Sequence, residues 1–204
     1  IIAPQRETNR VGTYASAVMC DREGKLLGVY RETHLTREQK AEGLKPGESI
    51  STFDTDFGRI GVMLGFDFFF PEVSRILTLK GARALFWPTT GMPEWPGQQT
   101  LQTMLMGRAF AYKTYMAMAS FGEKPEAPHV PFKIRRKGCI IDLEGQPIAD
   151  TSFGPGIAEA MIDLSSDFYC SVGAIPSASY RHVLLRERRP ELYAPITEGT
   201  LNFH

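Results

Sequence analysis

Cysteine is scarce: Cys20, Cys139 and Cys170 are the three in 204 residues. An odd number at wide spacing, without a C-x-x-C pair, argues against a disulfide scaffold or a thiolate metal site. It favours a reduced, cytoplasmic protein whose thiols are small buried apolar side chains. An excess of either charge is also missing. Lys+Arg and Asp+Glu each number 23, so the composition carries neither a nucleic-acid footprint nor an anionic-membrane surface. No apolar run approaches the roughly 18 residues a membrane helix needs, and Ile1 to Arg10 lacks the basic-then-apolar layout of a secretion signal. No metal-ligand spacing or cofactor box stands out, so neither a metal nor a cofactor is expected. An initiator methionine is absent too, and a chain opening IIAPQRETN reads as a stretch of a longer parent.

The residues present describe an α/β domain. At 43% hydrophobic content the chain is long enough for one domain with a sizeable core. TYASAVMC and KLLGVYR flank Asp21-Arg22-Glu23-Gly24 as a β-hairpin, and a similar pattern returns around Asp142-Leu143-Glu144-Gly145. Glu32 to Ser49 is a polar loop with one helical turn. Ile60 to Leu64 is a short continuous apolar run, which predicts a strand covered on both faces. Pro71 and Glu72 then start a helix whose apolar stripe is Val73, Ile76, Leu77 and Leu79. A second buried strand over Ala82 to Pro88 completes a βαβ unit.

Between the first strand and its helix lies Gly65-Phe66-Asp67, at the carboxyl end of a strand, where open α/β sheets present their chemistry. The Gly/Pro-rich loop Thr89 to Gly97, with Trp95, belongs to the same sheet edge. A helix from about Gln98 to Tyr112, a strand Tyr115 to Phe121, a basic loop Glu123 to Lys137 and a last strand Gly156 to Asp163 follow, before a tail over 176–204. The histidines His34, His129, His182 and His204 fall in loops or the tail and read as structural or exposed.

The order of motifs resembles a known family. Gly28-Val29-Tyr30-Arg31-x-x-His34-Leu35, then Phe57-Gly58-Arg59-Ile60-Gly61-Val62-Met63, then Asp67-x-x-Phe70-Pro71-Glu72 is similar to the carbon–nitrogen hydrolases of the nitrilase superfamily. Gly81-Ala82, Pro88, Arg108-Ala109, the second hairpin and the closing Arg-x-Arg-x-Pro-x-Leu-Tyr extend the likeness over nearly the whole chain. The resemblance implies a four-layer αββα sandwich with mixed sheets, pairing as a homodimer or higher homo-oligomer. It also implies a cysteine nucleophile, a glutamate base and a lysine that together hydrolyse non-peptide C–N bonds.

Set on that pattern, the lysine position holds Glu32 and the nucleophile position holds Gly65. An anionic side chain opposes a developing oxyanion, and glycine has no atom with which to attack. The family's base glutamate belongs to an opening strand–helix portion that the resemblance does not find in residues 1–204. A further family acid has Glu42 as its counterpart. The candidate pocket comprises Glu32, His34, Gly65, Phe66, Asp67, Thr89 and Trp95. Ser51, Thr89, Thr90 and Cys139 are substitutes in principle, none with an evident base beside it. Three readings stand: a binding or assembly module without the usual hydrolysis, holding a small amide or carbonyl compound; an amidase-type hydrolase with a relocated nucleophile; and a fragment of a longer enzyme.

Overall fold

The computed structural model describes the chain except residues 90–97, 121–122, 125–133, 136, 153, 168, 173–174 and 199–204. It divides into two compact units, Ile1–Ser166 and Asp167–His204.

The first unit opens with strands β1 (Ile2–Thr8), β2 (Thr13–Cys20) and β3 (Leu26–Arg31), an antiparallel three-stranded sheet in that order. The hairpin of β2 and β3 turns at Asp21, whose carboxylate accepts the N–H groups of Glu23 and Lys25 at 3.0 and 2.7 Å, an Asx-type turn. Strand β1 was not anticipated. It carries Pro4, Gln5, Arg6 and Glu7 on a largely exposed segment, so no apolar alternation marks it; pairing with β2 from Ile2↔Met19 to Thr8↔Thr13 makes it a strand.

Helix α1 (Arg37–Ala41) supplies the helical turn expected in the polar loop. Strands β4 (Thr52–Thr55), β5 (Gly58–Val62), β6 (Ala84–Pro88) and β7 (Tyr115–Ala119), with helices α2 (Pro71–Leu79) and α3 (Gln98–Tyr112), build the layer that carries the site. The short pair β8 (Glu123–Lys124) and β9 (Ile134–Arg135) lies in the basic loop, and β10 (Cys139–Ile141) and β11 (Pro147–Asp150) form the second hairpin. The six-stranded sheet runs β11-β10-β7-β6-β5-β4 and is mixed: β5, β6 and β7 are parallel and the rest antiparallel.

Alternation at the end of β5 and in the two residues after it separates two cores. Met63 points with Leu85, Trp87, Met116 and Met118 into the core under α2 and α3, while Val62 and Leu64 face Ala17, Met19 and Tyr30 of the three-stranded sheet. Unit 1 therefore stacks helices, six-stranded sheet and three-stranded sheet, an α/β fold with mixed sheets. Close approach explains Gly61, where a Cβ would stand 2.7 Å from Leu85 and 3.1 Å from Leu77 of α2. The buried stripe of α2 is Val73, Ser74, Leu77 and Thr78, not one that includes Leu79, which is 40% exposed.

The strand expected over Gly156 to Asp163 does not form. Those residues are irregular, and Ile157 and Met161 are 85% and 99% exposed, so the apolar positions of that segment have no face to bury against. In the second unit, β12 (Tyr169–Val172) and β13 (Ile175–Ser179) form a hairpin. Helix α4 (Tyr180–Arg186), N-capped by the Ser179 hydroxyl, a 3-10 turn at Pro190–Leu192 and α5 (Ala194–Thr197) follow.

Candidate functional site

Strand β5 delivers the chain to the elbow. Met63 N–H still donates to Phe86 O at 2.9 Å, the last bond of the parallel pairing, before Leu64 leaves the sheet in an extended conformation. Gly65 turns at φ +39°, in the left-handed region that side chains disfavour, and opens the 3-10 segment Gly65–Phe69 that leads to Pro71 at the first position of α2. Two side chains hold the turn from below. Trp87 Nε1 donates to Gly65 O at 2.9 Å, and its ring stacks on Phe68 with centroids 3.9 Å apart. Arg108 of α3 lies 4.2 Å from the Phe68 ring centre and donates to Phe68 O. The Arg-Ala pair of the long helix is thus a support of the elbow.

Asp67 is fully buried and ties the elbow to the segment after β3. Its Oδ1 accepts Thr33 N–H at 3.0 Å, Thr33 Oγ1–H at 2.7 Å and His34 N–H at 2.9 Å, and His34 Nδ1 lies 3.1 Å away. Its Oδ2 accepts Tyr30 O–H at 2.6 Å and Leu64 N–H at 3.2 Å. Burial and the neighbouring carboxylate push the Tyr30 phenol well above its ordinary range, which keeps it a neutral donor. His34 stacks on Phe70 at 3.9 Å, closing the network toward solvent. So many donors on one carboxylate satisfy a buried charge that would otherwise be costly.

Glu32 and Gly65, the residues expected at the family's lysine and nucleophile positions, are neighbours. Glu32 is 2% exposed, and its Oε1 accepts Phe66 N–H at 2.7 Å while its Oε2 accepts Gln39 Nε2–H at 2.6 Å. A Cβ built on Gly65 would stand 2.5 Å from Glu32 Oε1, so that oxygen occupies the space any side chain at 65 would enter. Burial pushes the Glu32 carboxyl up to about 7, with the Phe66 and Gln39 bonds opposing the rise and the nearby Asp67 charge adding to it. Chemically this is a buried carboxyl held by two N–H donors beside a glycine that presents no side chain.

Of the sequence-derived pocket, Glu32, His34, Gly65, Phe66 and Asp67 come together. Thr89, at the end of β6, donates its N–H to Ala119 O at 2.9 Å, and Trp95 and Thr90 lie outside the described residues. Glu42 is not brought to the elbow; it is exposed at the end of α1 and paired with Arg6 at 2.6 Å. Ser51 bonds Ser49 at 3.2 Å, and burial pushes the Cys139 thiol up to about 11, away from the thiolate a nucleophile needs. His182 is in the first turn of α4, and His129 and His204 fall outside the described residues.

Sequence reasoning missed Tyr30, Gln39 and Trp87. The signal for Gln39 was legible, since Thr36-x-x-Gln39 is a capping box, with Gln39 N–H donating to Thr36 Oγ1 at 3.2 Å and Thr36 N–H to Gln39 Oε1 at 2.7 Å. A separate cleft of about 1040 Å³ lies in unit 1, lined by residues that include Met19, Ile60, Phe86, Ala117 and Ile140, with none of Glu32, Gly65 or Asp67 on its walls. Among the described residues no cluster of three or more His, Cys, Asp and Glu side chains is placed to hold a metal ion, and no helix is long and apolar enough to cross a membrane.

The carbon-nitrogen hydrolase family model matches residues 1–166, the whole of unit 1. The chain belongs to the carbon-nitrogen hydrolase family. Among its curated relatives are a citrullinase of Francisella tularensis, 29% identical over 96% of this chain and 70% of that protein, and an omega-amidase of Xenopus laevis, 29% identical over 74% of this chain and 56% of that protein. This member of the carbon-nitrogen hydrolases therefore spans between about half and seven-tenths of the length of those relatives. A carbon-nitrogen hydrolase of Helicobacter pylori G27 has the same fold, with a TM-score of 0.78 at 23% identity over 97% of this chain and 70% of the other.

Proposed function

We propose that this chain is a carbon-nitrogen hydrolase-family domain that does not carry out cysteine-dependent amide or nitrile hydrolysis and serves as a binding or assembly module. One observation carries the reading: the space in front of the elbow is taken by the Glu32 carboxylate, 2.5 Å from where a Cβ at residue 65 would be. Loss of a covalent nucleophile and its partners typically lowers rates on the order of 10⁶-fold, and a retained fold does not restore them. The relatives named as an omega-amidase and a citrullinase supply the compounds to try, namely ω-amides and citrulline.

The test is an ammonia-release assay of the purified chain on those compounds, with simple amides and nitriles alongside. No turnover above the buffer rate is expected. Turnover that disappears in both Glu32→Gln and Asp67→Asn would overturn the proposal, because it would place chemistry at this elbow. The proposed assembly is a second copy of the chain. Sedimentation at micromolar concentration is expected to show a dimer, and a monomer at every concentration would remove that part of the reading.

A further inference from the structure

A buried carboxylate held against a backbone N–H, in a space that only glycine leaves open, needs a reason beyond the absence of a nucleophile. Both of its donors are fixed independently of it. Phe66 N–H is aimed by the elbow, whose Gly65 carbonyl is held by Trp87 and whose Asp67 N–H bonds Leu64 O at 2.9 Å. Gln39 Nε2 is aimed by the capping box, because the other end of its amide, Oε1, already accepts Thr36 N–H at 2.7 Å. Two preset donors on different elements, converging on the two oxygens of one carboxylate at 2.7 and 2.6 Å, are the recognition chemistry of a carboxylate ligand. Here the chain's own side chain supplies it.

We infer that Glu32 is a built-in ligand that closes the elbow, and that withdrawing its carboxylate opens a socket for a short free carboxylate. The inference rests on the proposed reading of Gly65 as an elbow position without a reactive atom. A primary amide fits the socket less well, since its NH₂ group would meet Gln39 Nε2, donor against donor. The charged and titratable groups around Glu32 are Asp67 on the elbow, Tyr30 at the end of β3, whose phenol bonds Asp67 at 2.6 Å, and His34, whose Nδ1 is 3.1 Å from Asp67. The Asp67 charge disfavours any anion in the socket, internal or free, so a free carboxylate is expected to bind weakly.

Glu32→Ala removes CH₂–COO⁻, and acetate is the molecule that replaces it. Thermal unfolding of the variant, titrated with sodium acetate to about 100 mM at constant ionic strength, is expected to show a saturable rise of a few degrees, with acetamide raising it less and sodium chloride not at all. Wild-type protein, whose socket is full, is expected not to respond. In amide-resolved NMR, the Phe66 N–H signal is expected to lose its hydrogen-bonded shift in Glu32→Ala and regain it with acetate. Equal acetate effects on both proteins, or a Phe66 signal indifferent to acetate, would overturn the inference. If Glu32→Ala does not fold, Glu32→Gln decides: its amide NH₂ must face one of the two donors, so either the Phe66 N–H or the Gln39 side-chain NH₂ signal is expected to lose its hydrogen-bonded shift, and both signals unchanged would refute the built-in ligand. Ammonia release by wild type that is lost in both Glu32→Gln and Asp67→Asn would contradict the proposed function while leaving the acetate result standing, so the two failures are distinguishable.

Discussion

At the residue scale, the pair Glu32 and Gly65 makes two measurable demands. The first concerns pH. Glu32 has its carboxyl raised from an ordinary 4.5 to about 7 by burial, so the folded chain binds its proton more tightly than the unfolded chain does. Stability is then complete below about pH 4.5 and declines as pH rises through 7, by about 3 kcal/mol at most at 1.36 kcal/mol per unit. Glu32→Gln loses the Gln39 bond, because its amide would place donor against donor, yet it also loses this slope. Urea unfolding from pH 5 to 9 is expected to fall for wild type and to stay level for the variant. The second demand concerns space. Gly65→Ala sets a methyl group 2.5 Å from Glu32 Oε1 at a backbone φ of +39°, and the oxygen cannot yield without breaking its bonds to Phe66 or Gln39. A loss of about 2–3 kcal/mol is expected. In Glu32→Ala the same change is expected to cost about 1 kcal/mol, the remainder being backbone strain, so a double-mutant cycle shows coupling of 1 kcal/mol or more.

At the element scale, α1 has five residues and cannot hold itself as a helix. Its order comes from Gln39: the capping box with Thr36 fixes its first turn, and the amide so held also presents Nε2 to Glu32. Gln39→Ala is therefore expected to raise hydrogen exchange through residues 37–42 by ten-fold or more while lowering global stability by about 1–2 kcal/mol. This element also marks how far the sequence could be read. The strand, elbow and helix from Ile60 to Leu79 were legible because a short apolar run, a turn residue and an N1 proline follow one another in the chain. The segment Thr36 to Gln39 was legible as a helix start, but not as a wall of the site. Nothing in one dimension says that Gln39 Nε2 will meet the side chain of Glu32, or that Glu32 will lie in front of residue 65. Strand β1 was illegible for a different reason: it is made by pairing with β2 and not by burial of alternate residues. The irregular stretch over 156–163 erred the other way, since partial alternation there found no sheet to join.

At the scale of the whole molecule, the two cores of unit 1 are unequal. The one beneath α2 and α3 joins elements from Met63 to Ile141 around Phe68, Trp87 and Leu105. The one between the sheets rests on Ala17, Met19, Tyr30, Val62 and Leu64, beside a cleft of about 1040 Å³. Polar bonds add to that apolar contact: Glu32 Oε1 accepts Phe66 N–H at 2.7 Å, and Asp67 accepts Tyr30 O–H at 2.6 Å from the end of β3 and holds the backbone of Thr33 and His34 just beyond that strand. Asp67→Ala leaves those donors, together with Leu64 N–H, buried or half-buried without an acceptor, at about 1–3 kcal/mol for each one that water cannot reach. A loss of about 4 kcal/mol is expected, against about 1 kcal/mol for Tyr30→Phe, which removes a single bond and keeps the ring. The pattern of the loss is more telling than its size. If Asp67 clamps sheet to sheet, amide protection in Asp67→Ala should collapse through β1, β2 and β3 while β6, β7 and α3 keep the protection that their own core gives them. Uniform loss across both layers would instead mean that the elbow stabilises the unit as one body, and that the network around Asp67 is no hinge between two differently secured halves.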